Sequence, residues 1–255
     1  MKKVIFVGGK QVGYDCLQCL CLHPGIQVSL IITNPSDLYK GTDKWYPSVK
    51  ELADTYNIPY HATDAINDPS MVEKIKSLSP DLMFVVYYDK ILVEEVFNIP
   101  KEGTINLHMA DAEKYRGCYP TTYAIINGET EYGVTLHYIN RGIDTGYLID
   151  RARFELMERW TGKDLYERAT REGIKLFKKN LERFLSGNVK SRAQRSSQDT
   201  HFYRRSQFPS HEITFEGSGK DVYNKIRALI FPPFPNPYFY IGSQKYTITP
   251  VDSET

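Results

Sequence analysis

The first 110 residues alternate between short apolar runs and segments with helical spacing, and this alternation constrains the fold more than any other feature. The runs typical of buried strands are Val4–Val7, Ile26–Ile32, Ile58–His61, Asp81–Tyr88 and Gly103–His108. The helices predicted between them are Val12–Leu22, Pro47–Tyr56 and Asp68–Leu78. Strand–helix–strand repeats of this length form right-handed βαβ units. We therefore predict an α/β fold with a Rossmann-like, doubly wound, mostly parallel sheet.

The second half of the chain has a different pattern. Strands are predicted at Tyr132–Ile139 and Tyr147–Phe154, and a long amphipathic helix at Lys163–Leu185. The polar segment 190–200 has few apolar residues and is interpreted as a linker. Beyond it the chain is rich in aromatic residues and proline. We expect one main domain over residues 1–200 and a small extension, a helix and a β-hairpin, over residues 201–255.

The charge balance and the apolar runs exclude several partners. Lys and Arg total 32 against 31 Asp and Glu, a net charge of +1, whereas nucleic-acid binders carry a basic excess. No run approaches the roughly 20 apolar residues that span a bilayer, and the first residues do not form a signal peptide. The Cys16-x-x-Cys19 pair lacks a second half for a zinc site and also suits buried thiols on one helix face. The sequence predicts a cytoplasmic protein without nucleic-acid, membrane or metal partners.

The turn after the first strand is a weak nucleotide-binding signal. It reads Gly8-Gly9-Lys10-Gln11-Val12-Gly13, with lysine where a dinucleotide fingerprint has its second glycine. A plain strand–helix turn is therefore favoured. Ligands of open α/β sheets nevertheless bind beyond the carboxyl ends of the strands. Lys10 lies at that edge, near a helix N-terminus, where an anionic group is stabilised.

Polar residues near the ends of two later strands point to acyl-transfer chemistry. Asn106 and His108 are two apart on a predicted strand, so their side chains project from one face. Asp144 lies in a glycine-flanked loop after another strand. Asparagine can donate to an oxyanion, histidine can take a proton near neutral pH, and aspartate can orient the imidazole. Spacing alone leaves open a purely structural Asn–His pair, and the lack of a G-x-S-x-G motif disfavours a serine hydrolase.

Five sequence blocks extend this signal across about forty residues: Ile105–His108, Lys114–Gly117, Ala124–Glu129, Gly133–His137 and Gly142–Gly146. Their order, spacing and content resemble the 10-formyltetrahydrofolate-dependent formyltransferase family. The resemblance implies formyl transfer from N10-formyltetrahydrofolate to an amine. It implies that Asn106 binds the formyl oxygen, that His108 accepts the amine proton, and that Asp144 orients His108 or a water molecule.

Two segments depart from the family pattern. Val85–Leu92 resembles the loop whose backbone holds the pterin, but Asp89 replaces the usual glycine. Met109–Glu113 replaces the common Pro-Ser-Leu-Leu-Pro, in a loop that the resemblance places beside the acceptor. The second change indicates an unusual acceptor.

The resemblance also implies residues that bind the two substrates. Those expected to bind the folate are Tyr87, Tyr88, Asp89, Ile91, Asn140 and Gly142. Those expected to bind the acceptor, where cations would face a diphosphate, are Lys10, Tyr115, Arg116, Tyr203 and Arg204. The many aromatic residues of the C-terminal extension can stack on a nucleobase or pack in a core or interface, and packing is favoured for most. The same surplus predicts a homodimer.

The C-terminal extension favours one branch of the family. Methionyl-tRNA formyltransferases add a β-barrel domain, for which residues 201–255 are too few, and glycinamide ribonucleotide formyltransferases are shorter. Ile226–Phe234 resembles the motif that follows the core in the family. We expect a sugar N-formyltransferase that acts on a dTDP-linked amino sugar, dTDP-4-amino-4,6-dideoxyglucose, for O-antigen biosynthesis. Two alternatives remain: a methionyl-tRNA-type formyltransferase without the barrel, and a non-catalytic folate or nucleotide-sugar binding module.

Overall fold

The computed structural model describes residues 1–38, 46–195 and 197–250. Its strands are β1 (Lys2–Gly8), β2 (Ile26–Thr33), β3 (Tyr60–Ala62), β4 (Leu82–Val86), β5 (Thr104–His108), β6 (Tyr115–Gly117), β7 (Glu131–Tyr138), β8 (Leu148–Glu155), β9 (His201–Tyr203), β10 (Tyr238–Ile241) and β11 (Gln244–Thr247). Its α-helices are α1 (Lys10–Leu22), α2 (Val49–Tyr56), α3 (Pro69–Leu78), α4 (Glu94–Phe97), α5 (Pro120–Ile126), α6 (Gly162–Leu185) and α7 (Gly219–Leu229).

Seven strands form one sheet in the order β3-β2-β1-β4-β5-β7-β8. The five strands from β3 to β5 are parallel, and β7 and β8 are antiparallel to their neighbours. The predicted Rossmann-like, mostly parallel sheet is confirmed. Since the order reverses from β1–β2–β3 to β4–β5, the carboxyl ends of β1, β4 and β5 meet where such sheets bind ligands.

The central strands are buried on both faces. On β1, Val4 and Phe6 pack with α1 and α6, whereas Ile5 and Val7 pack with α3 and α4 on the other face. Alternate side chains of a strand point to opposite faces, so a continuous apolar run is what two helical layers require. The short runs in the sequence predicted these strands for this reason.

The C-terminal residues contain the predicted helix and hairpin. Helix α7 packs against α5 and α6, and β10 pairs with β11 as a two-stranded hairpin. Strand β9 pairs in parallel with β6, so residues just past position 200 are joined to the middle of the chain. The division into domains at residue 200 stays a prediction.

The segment interpreted as a linker is attached to the main sheet at Arg192. Arg192 forms two backbone hydrogen bonds with Leu148 at the start of β8, of 2.8 and 2.9 Å. Its guanidinium also pairs with Glu113. The polar composition suggested a linker, but the side chains of Arg192 and Gln194 bind other polar groups of the protein.

None of the helices in the described part of the chain has the length and apolar character needed to cross a bilayer. Within the same residues, no group of three or more His, Cys, Asp or Glu side chains is arranged to hold a metal ion. The cysteines are free, with Cys16 buried and Cys19 partly buried on α1.

Candidate active site

The three residues predicted to share a site are brought together. Asn106 and His108 lie on β5, and Asp144 lies in the loop between β7 and β8. The Nδ2 atom of Asn106 is 3.3 Å from Asp144 Oδ1. The Nδ1 atom of His108 is 3.5 Å from Asp144 Oδ2. The antiparallel pairing of β5 with β7 makes this approach possible, because it brings the loop after β7 back towards β5.

Both ring nitrogens of His108 face acceptors. Nε2 is 2.8 Å from the backbone oxygen of Tyr115, and because a carbonyl oxygen only accepts, Nε2 carries a hydrogen. Nδ1 is therefore the nitrogen that can gain or lose a proton beside Asp144. The His108 side chain is only 8% exposed, so water screens this pair weakly.

A second histidine lies in the site. His137 on β7 has its Nε2 atom 3.1 Å from Asn106 Nδ2 and 3.4 Å from Asp144 Oδ1. Its Nδ1 faces the backbone oxygen of Tyr138 at 2.8 Å, so Nε2 is free to accept from Asn106. From the sequence, His137 was known only as the last residue of the block Gly133–His137. Its pairing opposite Asn106 on the adjacent strand is the signal that could have identified it.

Asp144 is held as a carboxylate. Burial alone would raise its pKa, but the neighbouring His108 and the N–H of Gly117 hold the pKa of Asp144 well below its usual range. The Gly117 N–H donates to Asp144 Oδ2 at 2.9 Å. A buried, charge-stabilised carboxylate between two imidazoles is a group that can orient and stabilise an imidazolium.

Gly117 is required by its surroundings. Its φ is +82°, in the left-handed region, and a Cβ atom there would lie 2.2 Å from the carbonyl oxygen of Tyr203 on β9. The close pairing of β6 with β9 thus leaves room only for hydrogen at this position. This places the Gly117 N–H against Asp144.

The residues expected to bind folate fall in two loops. After β4, Asn34 holds the backbone by donating to the Tyr87 carbonyl at 3.3 Å and accepting from the Asp89 N–H at 3.0 Å. Tyr88 donates to the Thr63 carbonyl, and Ile91 is 68% exposed. In the loop after β7, the side chain of Asn140 accepts from the Gly142 N–H and the Thr145 hydroxyl. Asn34 was not identified from the sequence, because its hydrogen bonds join residues more than fifty positions apart.

Asp89 makes an ion pair with a cation of the C-terminal residues. Its carboxylate lies 3.4 Å from the guanidinium of Arg205, just after β9. Both side chains are partly exposed, and such pairs contribute little to stability. The pair joins the loop after β4 to the C-terminal residues across the site.

The residues expected to bind the acceptor are more dispersed. Lys10 lies at the carboxyl end of β1 and donates to the Tyr46 hydroxyl at 2.8 Å. Arg116 is bound to the Ala112 carbonyl and Gln194, and Arg204 is exposed just before a short 3-10 helix. The Tyr203 ring stacks on Tyr123 with centroids 3.5 Å apart.

The structure does not bring the Tyr115 side chain to the surface. It is 2% exposed, and its hydroxyl donates to Glu129 at 3.0 Å. Its ring stacks against His201 of β9. What Tyr115 presents to the site is its backbone oxygen, which accepts from His108.

The loop that departs from the family pattern is built on ion pairs. Asp111 binds Arg151 and Arg153, and Glu113 binds Arg151 and Arg192. The hydrogen bond from Arg192 is the main reason that the pKa of Glu113 is lowered to about 2. Acidic residues in this loop therefore serve at least to attach the segment around Arg192 beside the site.

Replacing Glu113 by glutamine should reduce stability in a pH-dependent way. We expect the variant to lose about 2 kcal/mol of unfolding free energy at pH 7, since the ion pairs are partly screened by water. Glu113 has its lowered pKa only in the folded state, so its contribution is complete above the ordinary pKa of 4.5 and is lost as the pH falls towards about 2. Urea unfolding between pH 7 and pH 3 measures it. The exposed Glu155 changed to glutamine is the control, and parallel pH curves for wild type and the Glu113 variant would contradict the expectation.

The fold and this site define a recognised class of protein. Residues 1–181 match the family described as formyl transferase, which is more than half of the chain. The chain therefore belongs to the formyl transferase family, and the predicted family membership is confirmed.

Similarity to individual proteins agrees with this. The chain is 32% identical over 247 residues to the bifunctional polymyxin resistance protein ArnA of Wigglesworthia glossinidia brevipalpis, a match over 96% of this chain. It spans 37% of the length of that relative.

Two solved structures are similar in sequence and in fold. The N-formyltransferase of Helicobacter canadensis, in complex with folinic acid and dTDP-3-aminofucose, is 27% identical with a TM-score of 0.78, over 95% of this chain and 85% of that one. The sugar 3N-formyl transferase WlaRD, in the presence of dTDP and 5-N-formyl-THF, is 28% identical with a TM-score of 0.75, over 93% and 82%. Both agree with the predicted sugar N-formyltransferase branch.

Proposed function

We propose that this chain transfers the formyl group of N10-formyltetrahydrofolate to the amine of a dTDP-linked amino sugar. The observation that carries the proposal is the buried cluster of Asn106, His108 and Asp144 at the carboxyl edge of the sheet. The similar Helicobacter canadensis and WlaRD proteins were solved with a formylated folate and with a dTDP compound, which supports both substrate classes.

The reaction needs a hydrogen-bond donor for the negative charge that develops on the formyl oxygen and a base for the proton of the amine. The sugar amine attacks the formyl carbon, and Asn106 donates an amide hydrogen to the oxygen that becomes an oxyanion. The amine proton passes to Nδ1 of His108. The bond from the formyl carbon to the folate nitrogen then breaks, and that nitrogen takes the proton from His108. The products are the N-formylated sugar and tetrahydrofolate.

The geometry of His108 supports its place in this sequence. Its Nε2–H is fixed on the Tyr115 carbonyl, so the proton gained is held at Nδ1. The Asp144 carboxylate, 3.5 Å away, stabilises the positive charge that forms there. His137 keeps Asn106 oriented by accepting one of its two amide hydrogens, and the other, which points to Asp144 Oδ1 at 3.3 Å, turns to the formyl oxygen during the reaction.

The two loops beside the trio are proposed to hold the two substrates. The folate lies along Tyr87, Tyr88, Asp89 and Ile91 and reaches Asn140 and Gly142. Lys10, Arg116 and Arg204 supply positive charge towards the diphosphate, and Tyr203 contributes an aromatic face. Tyr115 contributes only its backbone oxygen, which accepts from His108, while its ring stays buried.

The position of the amine has two candidates. The dTDP-4-amino-4,6-dideoxyglucose expected from the sequence stays the first. A 3-amino sugar is the second, because WlaRD is described as a sugar 3N-formyl transferase and the Helicobacter canadensis protein was solved with dTDP-3-aminofucose.

A turnover assay tests the proposal. The purified chain is incubated with N10-formyltetrahydrofolate and with dTDP-linked 3-amino and 4-amino dideoxyhexoses, and mass spectrometry detects the added formyl group. We expect product with at least one sugar. Formylation of methionyl-tRNA without any sugar product would indicate the tRNA-type alternative. Folate binding without product on any acceptor would indicate the binding-module alternative.

The homodimer belongs to the same proposal. Exposed apolar side chains lie on the hairpin, at Tyr240 and Ile241 on β10 and at Tyr246 on β11. A patch of this kind on a two-stranded hairpin is typical of a surface that pairs with a second subunit. Cytoplasmic location and the link to O-antigen biosynthesis also stay predictions.

A further inference from the structure

We propose that Gln194 is a positioning residue that holds the Asp144 loop for catalysis. This inference deepens the proposed function and rests on it. Gln194 lies in the segment that was predicted as a linker, fifty residues after Asp144. It makes no contact with the reacting groups of Asn106 and His108 in the structure and acts through the backbone of the loop.

The side-chain amide of Gln194 is fully engaged. Its Nε2 donates to the carbonyl oxygen of Asp144 at 3.0 Å and to that of Gly146 at 2.7 Å. Its Oε1 accepts from the guanidinium of Arg116 at 3.2 Å. Because the two ends of the amide face opposite kinds of partner, only one orientation satisfies all three contacts.

The loop between β7 and β8 needs contacts from outside the loop to keep its backbone conformation. Asp144 has φ +52°, in the left-handed region, which is uncommon for a residue with a side chain. Such conformations persist where the surroundings fix them. The side-chain contacts with Asn106, His108 and Gly117 fix the carboxylate, whereas Gln194 fixes the backbone on either side of Thr145.

Gln194 is itself held on both sides. Arg192 pairs with Leu148 through two backbone hydrogen bonds, which attaches the segment to β8. The Arg192 side chain and the backbone N–H of Arg195 both bind Glu113. These contacts fix the backbone before and after Gln194. The position of its side-chain amide beside the loop is therefore fixed as well.

The expected effect is therefore on the chemical step. When the Asp144 backbone moves, the carboxylate leaves its position beside His108 Nδ1, and small displacements of catalytic groups reduce rates strongly. Most of both binding surfaces is left in place: Arg116 keeps its hydrogen bond to the Ala112 carbonyl, and the folate loop after β4 makes no contact with Gln194. Hence kcat should fall while the KM values for folate and sugar change little.

The main test compares Gln194→Met with wild type. We expect kcat to fall at least about tenfold and both KM values to stay within about twofold. The matched control is Gln198→Met, at an exposed glutamine of the same segment, which should leave kcat unchanged. Gln194→Glu is the second variant: it keeps an acceptor for Arg116 but sets an oxygen against two carbonyl oxygens, and it should lose as much activity as Gln194→Met.

Hydrogen exchange provides a readout that does not depend on turnover. In Gln194→Met, we expect faster deuterium uptake in residues 140–147 and at the Gly117 amide, with the strands of the sheet unchanged. Unchanged exchange there would overturn the inference whatever the rate, and so would an increased KM with wild-type kcat. A wild-type protein that formylates nothing would instead overturn the proposed function, while the exchange experiment would still decide whether Gln194 holds the loop.

Discussion

Replacing His108 by glutamine is expected to lower kcat about a thousandfold, within the range that general-base catalysis contributes. Glutamine can still donate to the Tyr115 carbonyl, which His108 does through Nε2, but it has no nitrogen that takes a proton beside Asp144. Binding of the sugar and of the folate should stay within about twofold of wild type, because the lost proton transfer takes place only during the reaction. Steady-state kinetics and calorimetric titration measure the two effects separately.

The structure offers a control residue for this experiment and a second candidate for the general base. His23 ends α1 at the opposite edge of the sheet, where it contacts Glu182, and His23→Gln should keep wild-type turnover. His137 is the other imidazole beside Asp144. If His108→Gln kept more than a tenth of kcat while His137→Gln lost activity, the base would be His137 and the assignment would be wrong.

Replacing Asn106 by alanine is expected to cost about 3–4 kcal/mol in the transition state, or about a hundredfold to a thousandfold in kcat, as for other oxyanion donors. The loss comes mainly from the missing donor to the formyl oxygen. The KM values should change little, because the charge on that oxygen develops only during the reaction. The same kinetic assay measures it.

A second substitution separates the donor from the space that Asn106 fills. Asn106→Asp keeps the shape of the side chain but removes the N–H groups and adds a charge beside Asp144, so it should be at least as inactive as Asn106→Ala. Asn98→Ala, at an exposed position after α4, is the control. Activity of Asn106→Asp near that of wild type would contradict the role as a donor.

The sheet could be predicted from the sequence because its strands are buried on both faces. A run such as Val4–Val7 is typical of a strand with helices on both faces, and β1 covers it. That Asn106 and His108 project from the same face of β5 was predictable for a related reason, since side chains two apart on a strand share a face. Asp144 was a candidate from its glycine-flanked loop, but only the family resemblance joined it to His108, because loop spacing does not fix where a loop folds.

The residues that were missed or misplaced depend on contacts between distant parts of the chain. Gln194 was assigned to a linker because polar segments usually are exposed, yet its partners are backbone carbonyls fifty residues away. Tyr115 was expected at the acceptor, but β9 covers its ring and Glu129 satisfies its hydroxyl. Neither strand pairing nor such a hydrogen bond leaves a periodic signal in the sequence.

The fifty residues between Asp144 and Gln194 have a consequence during synthesis. A ribosome adds about 5–20 residues per second, so Gln194 is added roughly 2.5–10 s after Asp144. By then all seven strands of the main sheet and the whole of α6 have been synthesised. The nascent chain can therefore form its sheet seconds before Gln194 can bind the catalytic loop, and β9 is made later still. The growing chain thus acquires its competence for chemistry only after its sheet has been made.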